Sequence, residues 1–109
     1  MKGKLALFRA LAQEDVEAVV DGYRERGEIT AGRSFVRNLE RAIHHLQVFP
    51  ASGSPRYGRE LDLPGLRAWQ IVGSRYLIFY LDRPDCIDIW RVLHASRDIP
   101  AWLEDSSRG

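Results

Sequence analysis

The stretch Leu66-Arg67-Ala68-Trp69-Gln70-Ile71-Val72-Gly73-Ser74-Arg75-Tyr76-Leu77-Ile78-Phe79-Tyr80-Leu81-Asp82-Arg83-Pro84-Asp85-Cys86-Ile87-Asp88-Ile89-Trp90-Arg91-Val92-Leu93-His94 decides the fold. Three runs rich in β-branched and aromatic residues, 66–72, 75–81 and 86–94, are separated by Gly73-Ser74 and by Asp82-Arg83-Pro84-Asp85. Those separators are residue types that reverse a chain tightly, so the stretch reads as a three-stranded antiparallel meander. In the middle run Leu77, Phe79 and Leu81 point one way and Tyr76, Ile78 and Tyr80 the other. Both faces are therefore apolar; one is expected to meet helices and the other a partner.

Upstream of the meander the apolar period changes from two to about 3.6. Val16, Val19, Val20 and Tyr23 form one helical stripe, Gly27 supplies a stop, and the acids Glu14, Asp15 and Glu17 put a helix start near Gln13, where its dipole favours negative charge. A second helix is expected from about Thr30 to Phe49, with Phe35, Leu39, Ala42, Ile43 and Leu46 on its apolar side and Pro50 ending it. The short link at Gly27-Glu28-Ile29 makes the two helices an antiparallel hairpin. Lys4 to Arg9 reads as an opening strand, and 50–65 as a long irregular connection rich in Pro, Gly and Ser. The sum is an α+β, two-layer domain over 1–109: N-terminal strand, helix hairpin, three-stranded meander, with a tail at 104–109 expected to fray.

Composition bounds the function. A chain of 109 residues carries about one core, and 45% hydrophobic with 28% charged residues is a globular profile. Net charge is only +1, but residues 33 to 75 hold seven arginines (Arg33, Arg37, Arg41, Arg56, Arg59, Arg67, Arg75) against three acids (Glu40, Glu60, Asp62). One region is thus basic. The single Cys86 has no disulfide partner, and neither a signal peptide nor an apolar run of membrane-spanning length is present, so a reduced cytoplasm and no membrane contact are expected. The sequence has no glycine-rich phosphate loop, nucleophile elbow or paired-cysteine motif, which argues against nucleotide hydrolases, esterases and zinc proteins.

The segment Arg91-Val92-Leu93-His94-Ala95-Ser96-Arg97-Asp98-Ile99 puts an imidazole and two guanidiniums at a strand end. One reading is a metal-free nuclease, with His94 as acid or base and Arg67, Arg75, Arg91 or Arg97 clamping a phosphate. The other is that His94 hydrogen-bonds locally and Arg97 pairs with Asp98 or Asp88. Glu40 and His44, one turn apart, lack a third metal donor, so no metal or other cofactor is assigned. The helix-2 arginines either track phosphates or are simply solvated. Among the tryptophans, one of Trp69 and Trp90 belongs in the core, and Trp102 suits an interface.

Taken in order, Pro50 and Gly53, then Leu66-Arg67, Tyr76-Leu77-Ile78-Phe79-Tyr80 and Arg91 to Ile99, resemble the ParE/RelE toxin superfamily, specifically its ParE branch. Ala12-Gln13-Glu14-Asp15-Val16 through Val19, Val20 and Tyr23 is similar to the family's early helical pattern. The resemblance covers nearly the whole chain. It implies a toxin neutralised by a ParD-like antitoxin whose partly disordered end folds on it, giving a hetero-oligomer that touches DNA indirectly through the antitoxin. It also implies DNA gyrase as target in the ParE branch, or ribosome-dependent mRNA cleavage in the RelE branch. Lysine occurs only at Lys2 and Lys4 and no tyrosine follows Tyr80, which disfavours cleavage; a degenerate, non-toxic antitoxin binder is the remaining alternative. Antitoxin contacts are expected at Tyr23, Phe35, Arg75, Tyr76, Tyr80, Arg91 and Trp102. Target contacts are expected at Arg67, His94, Arg97, Trp102 and Leu103. If the chain is a nuclease, His94, Arg67, Arg75 and Arg97 are its catalytic candidates. Deletion beyond Asp98 is expected to remove toxicity and leave the sheet folded.

Overall fold

A computed structural model describes the backbone of residues 3–108 and the side chains of 3–104. Its elements in chain order are β1 (Leu5–Phe8), α1 (Ala10–Glu25), α2 (Ile29–Val48), a 3-10 turn at Pro50–Ser52, α3 (Arg56–Glu60), β2 (Leu66–Gln70), β3 (Tyr76–Asp82), β4 (Cys86–His94) and α4 (Ile99–Arg108). The meander and hairpin are where the sequence places them. The opening strand does not stand apart: β1 runs parallel to β4, giving one four-stranded sheet of order β1-β4-β3-β2. Helix α1 starts at Ala10, so Glu14 and Asp15 fall beyond its first turn, which holds no acid. Gly27, at φ +72°, reverses the chain between α1 and α2, a conformation open to glycine at little cost.

The sheet has a core on each face. On one side Ile71, Ile78, Tyr80, Ile87, Ile89 and Val92 pack against Ala12 of α1 and Phe35, Leu39, Ala42 and Leu46 of α2. On the other, Leu66, Ala68, Phe79, Trp90 and Leu93 are covered by Ile99 and Leu103 of α4, with Tyr57, Leu61 and Leu63 alongside. The apolar outer face that the sequence reserves for a partner is thus closed by the chain's own segments. Removing the residues after Asp98 would strip Ile99 and Leu103, 3% and 0% exposed, from this second core. That deletion therefore tests stability as much as toxicity. The tail at 104–109 begins within α4; the side chains of 105–108 and all of Gly109 lie outside the described residues.

A β-bulge explains how β4 serves both cores. Phe79 pairs with Arg91 but Tyr80 pairs with Ile89, leaving Trp90 as an extra residue. The insertion reverses the inside-outside alternation: Ile87 and Ile89 face the helix hairpin, and beyond the bulge Val92 takes that face instead. Leu93 then joins Trp90 on the opposite side.

Three polar anchors fix the elements. Asp15 of α1 accepts bonds from Arg91 Nε (2.8 Å) and Nη2 (2.7 Å) and from the Val92 backbone N–H (3.0 Å). This capping matters because β1 leaves the sheet at Phe8, and the upper half of β4 has no strand on that side. The Tyr80 hydroxyl donates to Pro50 O (2.8 Å) and accepts from Gly53 N–H (2.9 Å), and Arg67 Nη1 donates to Gly53 O (2.7 Å). A Cβ at Gly53 would lie 2.5 Å from the Tyr80 oxygen, so only glycine fits there. Asp88 receives Arg9 (3.0 Å) and Arg83 (2.8 Å) at the foot of the sheet, where Lys4 also binds Asp82.

Each anchor has a measurable consequence. Asp15→Ala removes the carboxylate from the buried Arg91 guanidinium and from the Val92 N–H and should lower unfolding free energy by about 3–5 kcal/mol in urea titrations. Tyr80→Phe abandons the Pro50 carbonyl and Gly53 N–H and should cost about 1–3 kcal/mol by the same measurement. For Asp88, burial pushes the carboxyl upward, but the bonds and charges of Arg9 and Arg83 outweigh it and leave the group below the usual aspartate range. Stability from this group is present above the unfolded aspartate value and is lost as pH falls through the lower folded value. Acid unfolding of Asp88→Asn should therefore show a weaker pH dependence below about pH 4 than the wild type, read by circular dichroism.

Candidate functional site

The upper end of β4, α1 and α4 enclose an open pocket of about 390 Å³. Tyr76, Arg91, His94, Arg97 and Trp102 line it, together with Leu11, Glu14 and Asp15. Five of the residues singled out from the sequence are thus brought together. Their positions follow from the register: Tyr76 pairs with His94 across β3 and β4, and the Ala95 N–H bonds Arg75 O, which brings the backbone of the β2–β3 turn beside the same strand end.

His94 is held by its own loop. Its Nδ1 accepts the Ser96 N–H (3.1 Å) and lies 2.7 Å from Ser96 Oγ. An Nδ1 that accepts carries no proton in the neutral ring, which makes Nε2 the donor in that form. This tautomer suits recognition of a carbonyl, carboxylate or phosphate oxygen and is the wrong one for abstracting a proton. Tyr76 meets the imidazole edge-on at 5.1 Å. Burial raises the Tyr76 phenol above its ordinary range, with Tyr23 adding to the effect, so it too is a donor.

On the facing wall Trp102 lies between two cations, Arg91 at 5.1 Å and Arg97 at 5.0 Å from the ring centre. Arg91 is 4% exposed and committed to Asp15, with a further bond to Trp102 O at 3.3 Å. It therefore braces the pocket and does not offer its charge to an acidic partner. Arg97 is exposed and makes no ion pair with Asp98 or Asp88.

Other expected contacts fall elsewhere. Phe35, Tyr80 and Leu103 are 3%, 0% and 0% exposed; they belong to the cores and present no surface in this state. Arg67 sits away from the pocket on β2, where it ties the backbone of Ala51 and Gly53. Tyr23 is half-buried and lines a second groove of about 430 Å³ on the outside of the hairpin, with Val20, Ile29, Gly32, Arg33 and Val36. A row of rings, Tyr23 to Phe35 (6.3 Å) to Tyr76 (5.2 Å) to His94, links groove and pocket. Of the tryptophans, Trp90 is core and Trp69 is half-buried under His45.

Sequence reasoning missed Asp15 as a site-building residue. The signal was present: Asp15 stands one turn from both Leu11 and Val19, a carboxylate on the apolar side of a helix, which calls for a buried cation. Glu40 and His44 gain no third donor, and among the described residues no group of three His, Cys, Asp or Glu could hold a metal. No described helix is long and apolar enough to cross a membrane.

Comparison with known proteins matches this arrangement. The family model described as ParE toxin of type II toxin-antitoxin system, parDE, aligns with residues 6–99. No curated protein matches the chain. Among solved structures, a chain of the "Chromosomal ParDE TA system from P. aeruginosa" superposes with a TM-score of 0.67 at 18% identity, covering 84% of this chain and 96% of that one, a likeness of fold. With β1, the hairpin, the meander and most of the Arg91 to Ile99 segment inside the matched span, the chain belongs to the ParE toxin family of type II toxin–antitoxin systems.

Proposed function

We propose that the chain inhibits DNA gyrase by direct binding in the cytoplasm and is held inactive by a ParD-like antitoxin. The observation that carries this reading against RNA cleavage is the state of His94. Its Nδ1 accepts the Ser96 N–H and so is not a free base, and the neighbouring wall carries Glu14, an Asp15 paired with Arg91, and one exposed guanidinium, Arg97. With two acids against two arginines, the lining adds no net positive charge to hold a polyanionic scissile strand; it suits docking onto a protein.

In this reading His94, Arg97 and Trp102 contact the target. The apolar groove beside Tyr23 takes an amphipathic segment of the antitoxin, with the half-buried Val20 and Val36 and the exposed Ile29 as its floor. The tyrosine and histidine row gives the two surfaces a packed connection, so an antitoxin seated in the groove is placed to reach the pocket. Contact with DNA by the neutralised complex runs through the antitoxin.

The test is gyrase supercoiling of plasmid DNA with purified toxin, with and without antitoxin. Supercoiling should stop, or cleaved complexes accumulate, only in the absence of antitoxin, and Arg97→Ala with Trp102→Ala should weaken inhibition about tenfold or more, as loss of interface anchors does. Untouched supercoiling by a folded, antitoxin-binding toxin would overturn the reading. Ribosome-dependent mRNA cleavage abolished by His94→Ala would then support the RelE-like alternative, and absence of both activities a non-toxic antitoxin binder.

A further inference from the structure

Helix α2 carries a second surface, which begins at Arg33, one of the residues lining the Tyr23 groove, and continues along the helix through Arg37 and Arg41. Of the seven arginines in the basic region, Arg56 is paired with Glu60 and Arg67 is spent on backbone carbonyls. Arg33, Arg37 and Arg41 are exposed and make no ion pair among the described residues. They recur every fourth residue, about 6 Å apart along the axis, and so form one continuous row. Glu40 is the single acid in the helix.

The row runs into an aromatic recess. Arg41 is itself part of the wall of a cavity of about 310 Å³, shared with Asn38, Ala42, His45, Trp69 and Val72. His45 stacks on Trp69 at 4.8 Å and 16°, is held by Ser52 Oγ at 3.0 Å, and contacts Phe49 at 5.2 Å. Val72 of the lining is 78% exposed, and Phe49, on the other side of its contact with His45, is 56% exposed, so large apolar groups are left in water. The β2–β3 turn abuts the helix here, for a Cβ on Gly73 would lie 3.0 Å from Asn38 Nδ2, and that turn bears the exposed Arg75.

We propose that this face binds single-stranded DNA directly. Guanidiniums one helical turn apart address successive phosphates of an extended strand, and the recess beside Arg41 takes an unstacked base against the His45 and Trp69 rings that line it. A base inside a duplex is not free to enter, which selects the single strand. An acidic peptide would satisfy the arginines but leave the rings without a partner, so aromatic and basic elements together favour nucleic acid.

The experiment is fluorescence anisotropy of the purified full chain with a labelled oligothymidylate of about 20 nucleotides at low salt, with no gyrase present. Binding should weaken about tenfold or more in the triple variant Arg33→Gln, Arg37→Gln, Arg41→Gln, and the slope of log affinity against log salt should fall by about 2, the release expected from three phosphate contacts on a single strand. An abasic strand of the same length should bind about fivefold or more weaker than oligothymidylate. Arg56→Gln, whose charge is already paired on α3, should bind like the wild type. Unchanged helical circular dichroism certifies that the variants are folded. The proposal is overturned if the wild type does not bind, if the triple variant binds equally, or if the abasic strand or polyglutamate binds as well as oligothymidylate; because gyrase is absent, none of these outcomes bears on the gyrase reading.

Discussion

The structure depends on one carboxylate. When β1 departs from the sheet after Phe8, the upper half of β4 is left with an open edge beside α1, and Asp15 fills that gap with a bond to the Val92 N–H and two to Arg91. The pair is buried, with side-chain exposures of 11% and 5%. Its attraction is offset by desolvation of both ions, so its main effect is positional: it fixes where α1 crosses the strand and turns the Arg91 guanidinium under Trp102. The pocket wall exists because that geometry is settled.

The bulge at Trp90 is the second determinant. Without the extra residue, Val92 and Leu93 would exchange faces, and each core would lose its neighbour from β4. With it, a strand buried along nearly its full length, Cys86 through Leu93, feeds the hairpin core with Ile87, Ile89 and Val92 and the α4 core with Trp90 and Leu93. A mid-strand shift of this kind is invisible to a strict period-two reading, which is why alternation in the middle run was easily read while that of β4 was not.

Much of the fold was nonetheless legible. The apolar stripes of α1 and α2, the glycine between them and the turn residues of the meander act locally, and local signals survive in a sequence. What was hidden is long-range. Nothing in Lys4 to Arg9 says that the strand will lie parallel to one more than seventy residues later in the chain. The same holds for the site. His94, Arg97 and Trp102 share one chain segment, and the strand register sets Tyr76 beside His94, so these four line one pocket. Tyr80 and Arg91, picked for contact, turned inward because distant Pro50 and Asp15 claim their polar atoms. Leu103 is core because α4 folds back on the outer face.

The strand order also governs when the molecule can exist. In the sheet β1-β4-β3-β2 the interior position next to β1 belongs to the last strand made, and residue 5 waits for residue 86 before it has a partner. Closing so long a loop is slow, and neither core has its central strand until β4 has left the ribosome. A nascent chain therefore carries the hairpin but no finished pocket. With the hairpin made first and the sheet closed later, the pocket forms in a single late step, when β4 supplies its residues to both cores.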